Sequence, residues 1–474
     1  MQALKINSNK FILLFSILLI ILRLIFLYFT DLNLYADEAQ YYFWSLSPDF
    51  GYYSKPPLIA WIIWLSTNIF GSNEFGVRFF APVIHFLTAW IIYLTHKEID
   101  KNAIYSFFIY LTLPAICVSS VVISTDVLLL LFWALGTYIL LKNFEQPTIS
   151  LTILLGITIG FALLSKYNAG LFYIGYFIFI LTLEKKDLLK NFKHLVISGI
   201  VSLITFAPNL WWNYNNHFAS FKHTKDISKL DRAFIYPNKF FEFFLGQSLI
   251  IGPILFICFL LLFLNKDFIR NVKNNPKYRL LFIISITFLL FISLLSLISG
   301  ANINWAAPSF IGFIILISII FNKTNKKLLN SGVLFNVFII TVWFGINLLP
   351  ISTQSPLYRI KGWNNFGKEV HELYNKYEKP FVLIDERKLL SWCLYYCNIP
   401  HQQILKLSAK SEIKDHYDLT KKAYGEYNNA IIISKNCDMK ESNVQLLKEI
   451  TPLANHIKSP KICAYHAKLF KTHN

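Results

Sequence analysis

Five charged side chains stand out in a chain that has few to spare. Asp37 and Glu38 adjoin in Ala36-Asp37-Glu38-Ala-Gln40-Tyr41-Tyr42-Phe-Trp44, and Lys55 precedes a proline pair in Gly51-Tyr52-Tyr53-Ser54-Lys55-Pro56-Pro57. Asp126 opens an apolar run in Ser124-Thr125-Asp126, and Lys166 sits in Leu164-Ser165-Lys166-Tyr167-Asn168. A carboxylate at a lipid–water boundary can act as general base on a hydroxyl or amine. A lysine fixed ahead of Pro-Pro can hold a phosphate as a point charge. An ionisable group entering a membrane is a functional candidate, although Ser124 or Asp126 equally suits the N-cap of a helix. Lys166 has an ordinary alternative too, as a snorkelling residue. Amides and aromatics recur in Pro208-Asn209-Leu-Trp211-Trp212-Asn213, in Asn215-Asn216-His217 and in Asn302-Ile-Asn304-Trp305. They suit sugar binding by stacking and hydrogen bonding, and they also suit helix ends at a membrane interface. Tyr41, Tyr42, Trp44 and Trp61 fit an interfacial belt.

The elements that must position these groups are membrane helices. Of 474 residues, 55% are hydrophobic and only 15% charged, with a mean hydropathy of +0.47. Soluble chains carry roughly 25% charged residues, so an ordinary soluble enzyme is excluded, and disorder is excluded by the apolar content. Long apolar runs recur up to residue 350 and then stop. A spanning helix needs about 20 mainly apolar residues, which gives about eleven spans: 11–30, 78–95, 103–120, 125–141, 149–164, 169–183, 195–212, 241–264, 280–299, 308–321 and 332–350. The first is read as a span and not a cleavable signal, because no small-residue cleavage site follows it. The segments 31–77 and 213–240 are long loops.

The net charge of +18 invites a nucleic-acid reading, but its distribution speaks for topology. Alternate connections (1–10, 96–102, 142–148, 184–194, 265–279, 321–328) hold 17 Lys/Arg, whereas the short loops of the opposite side hold only Lys166. The positive-inside rule then makes the N-terminus cytoplasmic. An odd span count puts residues 351–474 and both long loops outside, on the side of every candidate group above. No nucleic-acid partner is expected.

Residues 351–474 read as a small α/β domain. Phe381–Ile384 and Ala430–Ile433 resemble buried strands, with a helix over Glu386–Tyr396. Cys393, Cys397, Cys437 and Cys463 lie here. In an oxidising compartment they can pair, most naturally Cys437 with Cys463, or stay as free buried thiols. No dedicated zinc pattern is present.

No glycine-rich phosphate loop, Walker motif or dinucleotide fingerprint occurs, and groups on the outer face cannot use cytoplasmic nucleotides. That points to a donor already carried across on a lipid, with its head group at the outer face and its tail in the bilayer.

Taken in order, Asp37-Glu38-Ala-Gln-Tyr41, Gly51-Tyr-Tyr-Ser-Lys55-Pro56-Pro57-Leu58, Gly76-Val-Arg78 and Ser124-Thr-Asp126 resemble the bacterial protein-mannosyltransferase-like superfamily. Within it they are similar to the lipid A aminoarabinose transferases and the lipopolysaccharide galacturonosyltransferases. Leu163-Leu-Ser-Lys166-Tyr, Ala207-Pro-Asn-Leu-Trp-Trp-Asn213 and Asn304-Trp305-Ala-Ala-Pro308 resemble later motifs, so the likeness covers roughly residues 10–350. It implies a GT-C fold with a periplasmic C-terminal domain, in a bacterial inner membrane. It also implies inverting transfer of a sugar from a polyprenyl phosphate to a glycolipid such as lipid A or lipopolysaccharide core. By position, Asp37 matches the acidic catalytic residue, Asp126 a second acidic position, Lys55 the donor-phosphate lysine and Lys166 a phosphate-side cation. Glu38 is grouped with the catalytic carboxylates. Tyr41, Tyr52, Tyr53, Tyr167, Asn209, Trp212, Asn213, His217, Asn304 and Trp305 are the expected substrate contacts. Two positions depart: Gln40 stands where the aminoarabinose enzymes carry Arg, and Ser54 where they carry Glu. No nucleotide or redox cofactor is implied, and a divalent metal is left open. A protein O-glycosyltransferase and a transporter or flippase of lipid-linked sugars remain the alternatives.

Overall fold

The structure, a computed structural model, describes residues 8–228, 234–348, 358–408, 413–439, 443–453 and 458–472. The expected boundary at 350/351, the first seven residues and part of the 213–240 loop fall outside these. The chain packs as two units. One comprises residues 1–27, 55–59 and 78–345; the other comprises 28–54, 60–77 and 346–474.

The first unit is a helical bundle. Its principal helices are Ser8–Phe29, Phe80–Lys97, Thr125–Glu145, Ile149–Ser165, Leu171–Leu181, Lys185–Asn215, Pro276–Ile298, Ser309–Thr324 and Lys326–Leu348. By length and composition five helices can cross a membrane, six if a bent pair counts as one span, and several shorter apolar helices accompany them. All eleven expected segments are mainly helical where described, and two of them are broken well inside their length. Segment 103–120 splits into Ile104–Leu111 and Pro114–Ser119, because Pro114 has no N–H to continue the ladder. Segment 241–264 bends by 113° between Pro237–Ile251 and Pro253–Leu262. Gly252 makes that corner at φ 92, a conformation other residues avoid, and Asn336 Nδ2 donates to the freed Ile251 carbonyl at 2.9 Å.

Close packing fixes the bundle. Gly156 and Gly160 are one turn apart on Ile149–Ser165, and an added Cβ would meet Val201 at 2.5 Å and Thr205 at 2.4 Å. Small residues at this spacing let two helices approach in a bilayer, where apolar burial offers little net gain. Leu14, Ile17, Leu18, Ile21, Leu22 and Ile25 are exposed along one helix, an apolar stripe that suits lipid contact.

In the second unit a five-stranded mixed sheet carries the core. Its strands are β1 (Phe381–Ile384), β2 (Ile404–Lys406), β4 (Ala430–Ser434), β5 (Val444–Ile450) and β6 (Ile462–Ala467), in the order β2-β1-β4-β6-β5. The short strands β3 (Glu426–Tyr427) and β7 (Phe470–Lys471) pair separately. β1 runs parallel to both β2 and β4, and the helix Arg387–Tyr396 makes the β1-to-β2 crossover that parallel strands require. The two strands and the helix expected from sequence thus lie within a residue or two of their observed bounds. Cys437 and Cys463 are disulfide-bonded, whereas Cys393 and Cys397 are free and buried.

The segment 28–54 packs onto this sheet unit. Asn33 exchanges bonds with the Ile360–Trp363 turn (Asn33 N–H to Ile360 O, 2.8 Å; Trp363 N–H to Asn33 Oδ1, 2.9 Å). Trp392 Nε1 donates to Leu34 O at 2.9 Å. These bonds anchor the start of the helix Ala36–Ser45 against Arg387–Tyr396.

Candidate active site

Asp37 and Glu38 share the first turn of Ala36–Ser45, where the helix dipole favours negative charge. Their side chains diverge. Glu38 is 1% exposed, and its Oε2 accepts the Tyr35 N–H at 2.9 Å, which closes the helix start as a capping residue does. Asp37 turns outward with a side chain 42% exposed, and its Oδ1 accepts Arg387 Nη1 at 2.9 Å. Among the described residues nothing bonds Asp37 Oδ2. The same Nη1 also donates to Gln40 Oε1. Burial opposes the Arg387 charge, but Asp37 outweighs it and holds the guanidinium above its ordinary range. Arg387 lies 350 residues from Asp37, and its role is absent from the sequence reading. One signal existed: Asp385-Glu386-Arg387 directly follows β1, and open α/β sheets bind ligands at the carboxyl ends of parallel strands.

The tyrosines of this region are mostly interior. Tyr41, Tyr52 and Tyr53 are buried. Tyr52 stacks on Trp44 at 4.6 Å and donates to Trp44 O at 3.1 Å, while burial pushes its phenol pKa up. Tyr53 donates to Ile413 O at 3.3 Å. These contacts shape the platform under the Ala36–Ser45 helix.

In the first unit, Asp126 commits both oxygens. Oδ1 accepts Lys166 Nζ at 2.6 Å and Oδ2 accepts Asn304 Nδ2 at 2.8 Å. Ser124 holds the N-cap position of Thr125–Glu145 without a side-chain cap bond, so neither residue serves as the cap considered above. Nor does Lys166 snorkel: its side chain is 15% exposed, and its ammonium lies 5.9 Å from the Trp305 ring. The motifs around 166 and 304 therefore converge on Asp126. A second polar knot follows. Tyr167 Oη donates to Asn209 Oδ1 at 3.2 Å, Asn213 Nδ2 donates to Asn209 O at 3.0 Å, and the Ser220 N–H donates to Asn213 Oδ1 at 3.2 Å. Asn209 and Asn213 are fully buried; Trp212 and Lys55 are half-buried and His217 is exposed. His217 and Phe218 both take positive φ in the turn after Lys185–Asn215. Among the described residues no group of three His, Cys, Asp or Glu stands together as a metal site.

The comparisons fit these features. The family described as dolichyl-phosphate-mannose-protein mannosyltransferase matches residues 54–212. Lipid A galacturonosyltransferase RgtD of Rhizobium johnstonii is 30% identical over 79% of this chain and 80% of its own length. The undecaprenyl phosphate-alpha-4-amino-4-deoxy-L-arabinose arabinosyl transferase of Wigglesworthia glossinidia brevipalpis is 27% identical over 85% of this chain and 74% of its own. Among solved structures, ArnT from Cupriavidus metallidurans matches in the apo state with a TM-score of 0.63 at 12% identity, covering 97% of this chain and 98% of that one. Its undecaprenyl phosphate-bound form matches with a TM-score of 0.64 at 13% identity, covering 96% and 97%. At such identities the likeness speaks to the fold, which is of the GT-C type. The relationship to RgtD carries the rest: the chain belongs to the protein-mannosyltransferase-like family of membrane glycosyltransferases, in the branch of the lipid A sugar transferases.

Proposed function

We propose that this chain transfers a sugar, hexosyl or pentosyl, from a polyprenyl-phosphate donor to an envelope glycolipid such as lipid A or lipopolysaccharide core, with inversion at the anomeric carbon. The observation that carries this reading is the relationship to RgtD over four-fifths of both chains, in a protein where Asp37 is half-exposed and one of its oxygens has no bond among the described residues. Asp37 Oδ2 is that oxygen and takes the proton of the acceptor hydroxyl. The acceptor oxygen attacks the anomeric carbon, the carbon–oxygen bond to phosphate breaks, and polyprenyl phosphate leaves. The leaving group is a stabilised anion, so neutralisation replaces a strong general acid. Lys55 supplies one charge. Lys166 supplies another while Asp126 and Asn304 orient it, since an ammonium has three donors and Asp126 takes one. Asn209, Asn213, Tyr167, Trp212, Trp305 and His217 are assigned to the sugar or lipid, and the buried Tyr41, Tyr52 and Tyr53 to support of the Asp37 helix. The same reading gives about eleven spans, a cytoplasmic N-terminus and an α/β tail in the periplasm of a bacterial inner membrane.

The test is transfer by the purified full chain in detergent. An undecaprenyl-phosphate sugar and lipid A should give glycosylated lipid A by mass spectrometry, while the matching nucleotide sugar alone should give none. Product from a nucleotide sugar alone would sink the reading. A protein acceptor is the second reading, favoured by the description of the family that matches residues 54–212; labelled membrane protein with unlabelled lipid A would identify it.

A further inference from the structure

We propose that Arg387 is a lipid-phosphate ligand: its guanidinium, tethered at one nitrogen by Asp37 and Gln40, offers its open edge to a phosphate oxyanion of a lipid substrate. This rests on the transfer reading above and goes beyond it, because none of the family motifs includes residue 387. A guanidinium carries five N–H donors in a rigid fork that matches two phosphate oxygens at once. Here Nη1 makes both described bonds, to Asp37 Oδ1 and Gln40 Oε1. Nη2 and Nε have no partner among the described residues, and 30% of the side chain is exposed. The arginine is thus fixed at one corner and open along an edge.

The backbone beside it makes a second, independent case. Arg387 begins the helix Arg387–Tyr396, and its N-cap residue Glu386 makes no side-chain cap bond. Among the described residues no side chain bonds the first-turn N–H groups, which suit an anion that the helix dipole also favours. Of the nearby carboxylates that would repel one, Glu386 and Asp37 are ion-paired, and among the described residues Asp385 is bonded through one oxygen only. Glu386 pairs with Lys435 at 2.7 Å, and Asp385 accepts from Ser434 Oγ at 2.5 Å. Lys406, whose Nζ donates to Asp385 O at 2.6 Å, pairs with Asp415 at 3.1 Å. Asp37 itself is matched by Arg387. The resulting site reads phosphate, the group shared by a polyprenyl-phosphate donor and a phosphorylated glycolipid acceptor.

Binding by the full chain in nanodiscs distinguishes the sources. The probes are undecaprenyl phosphate against undecaprenol, and lipid A against its dephosphorylated form. Arg387→Gln should weaken binding of one phosphorylated probe by about tenfold to a hundredfold, the range for a lost charge-assisted contact, and leave its phosphate-free counterpart unchanged. Loss on undecaprenyl phosphate assigns the edge to the donor; loss on lipid A assigns it to the acceptor. Arg387→Lys keeps an ion pair with Asp37 but not the fork, so it should fold as wild type and still lose affinity, which a purely structural arginine would not. If both variants bind both phosphorylated probes like wild type while Lys55→Ala loses undecaprenyl phosphate, this inference is overturned and the transfer reading stands. A wild-type chain that binds neither phosphorylated probe overturns both.

Discussion

Two aspartates of this chain each hold a cation, and they hold it differently. Asp126 gives one oxygen to Lys166 and the other to Asn304, with a side chain 16% exposed. Asp37 gives one oxygen to Arg387, keeps the other unbonded among the described residues, and is 42% exposed. A carboxylate with both oxygens bonded in a nearly dry setting is an orienting group, because taking up a proton would cost it a bond. A carboxylate with a free, accessible oxygen can receive one. In the proposed mechanism it is the number of free oxygens, and not closeness to the membrane or to another acid, that separates the base from the scaffold.

The largest expected effect tests that separation directly. Asp37→Asn keeps the shape and an acceptor for Arg387 but cannot take a proton. It should cut transfer by about 10²–10⁴-fold, the usual worth of general base catalysis, with kcat falling and binding of donor and acceptor nearly intact. Comparable turnover in this variant would return the role of base to another group.

Asp126 should respond as part of a unit. Asp126→Asn and Lys166→Met each leave a partner unpaired in a setting that is mostly excluded from water, and each should cost transfer about ten- to a hundredfold, mainly through donor binding. The double variant should be no worse than the poorer single one, because residues in one network are not additive. Full additivity in the measured kcat/KM values would mean that Asp126 and Lys166 act apart, against their 2.6 Å pairing.

The same contrast explains what could be read from the sequence. Apolar runs and loop charge locate the helices because a bilayer imposes a length and a charge bias on every span. Strands β1 and β4 are legible because buried parallel strands are short unbroken apolar runs. Asp126 and Lys166 are legible as a charged residue at the start of one apolar run and a lone cation beyond the end of another, 40 residues apart. Arg387 is not: it is one of 19 Lys/Arg in residues 351–474, and only the fold of β1 and its crossover helix brings it to Asp37. The breaks at Leu113 and Gly252 escaped because hydropathy averages over a run and does not see a single Pro or Gly. The burial of Tyr52 and Tyr53 escaped because an aromatic cluster looks alike whether it lines a site or supports one.

Acid should weaken the Asp37 region more than the Asp126 region, among whose described partners there is no histidine. His416 packs edge-on against Trp44 and Tyr52 beneath the Ala36–Ser45 helix, and burial pushes its pKa down to about 3. An unfolded chain protonates this histidine near its ordinary value of about 6.5, whereas the folded chain resists until pH is near 3. Proton uptake by the unfolded state then drains stability as pH falls from about 6.5 toward 3, and none of this loss operates above that window. The loss should reach on the order of a few kcal/mol at the acid end. Hydrogen exchange in residues 35–53 and 381–420 should rise through this pH range, and His416→Phe should flatten the rise. A flat wild-type profile would contradict the buried neutral imidazole.

The smallest effect belongs to the carboxylate that sits beside Asp37 in sequence and apart from it in chemistry. Glu38 caps its own helix through Tyr35 N–H, a bond that an amide oxygen can also accept. Through this bond alone, Glu38→Gln should therefore cost about 1 kcal/mol of stability or less, the scale of a weakened capping interaction. It should leave kcat within about twofold of wild type, since a side chain buried at its own helix start is placed to support the helix and not to move a proton in the reaction. Adjacent acids on one turn would then differ by orders of magnitude in turnover, which ties the difference to orientation: one points into its helix start and the other out of it. A Glu38→Gln enzyme as slow as Asp37→Asn would instead require the two carboxylates to share the proton, and the count of free oxygens would no longer separate the base from its neighbours.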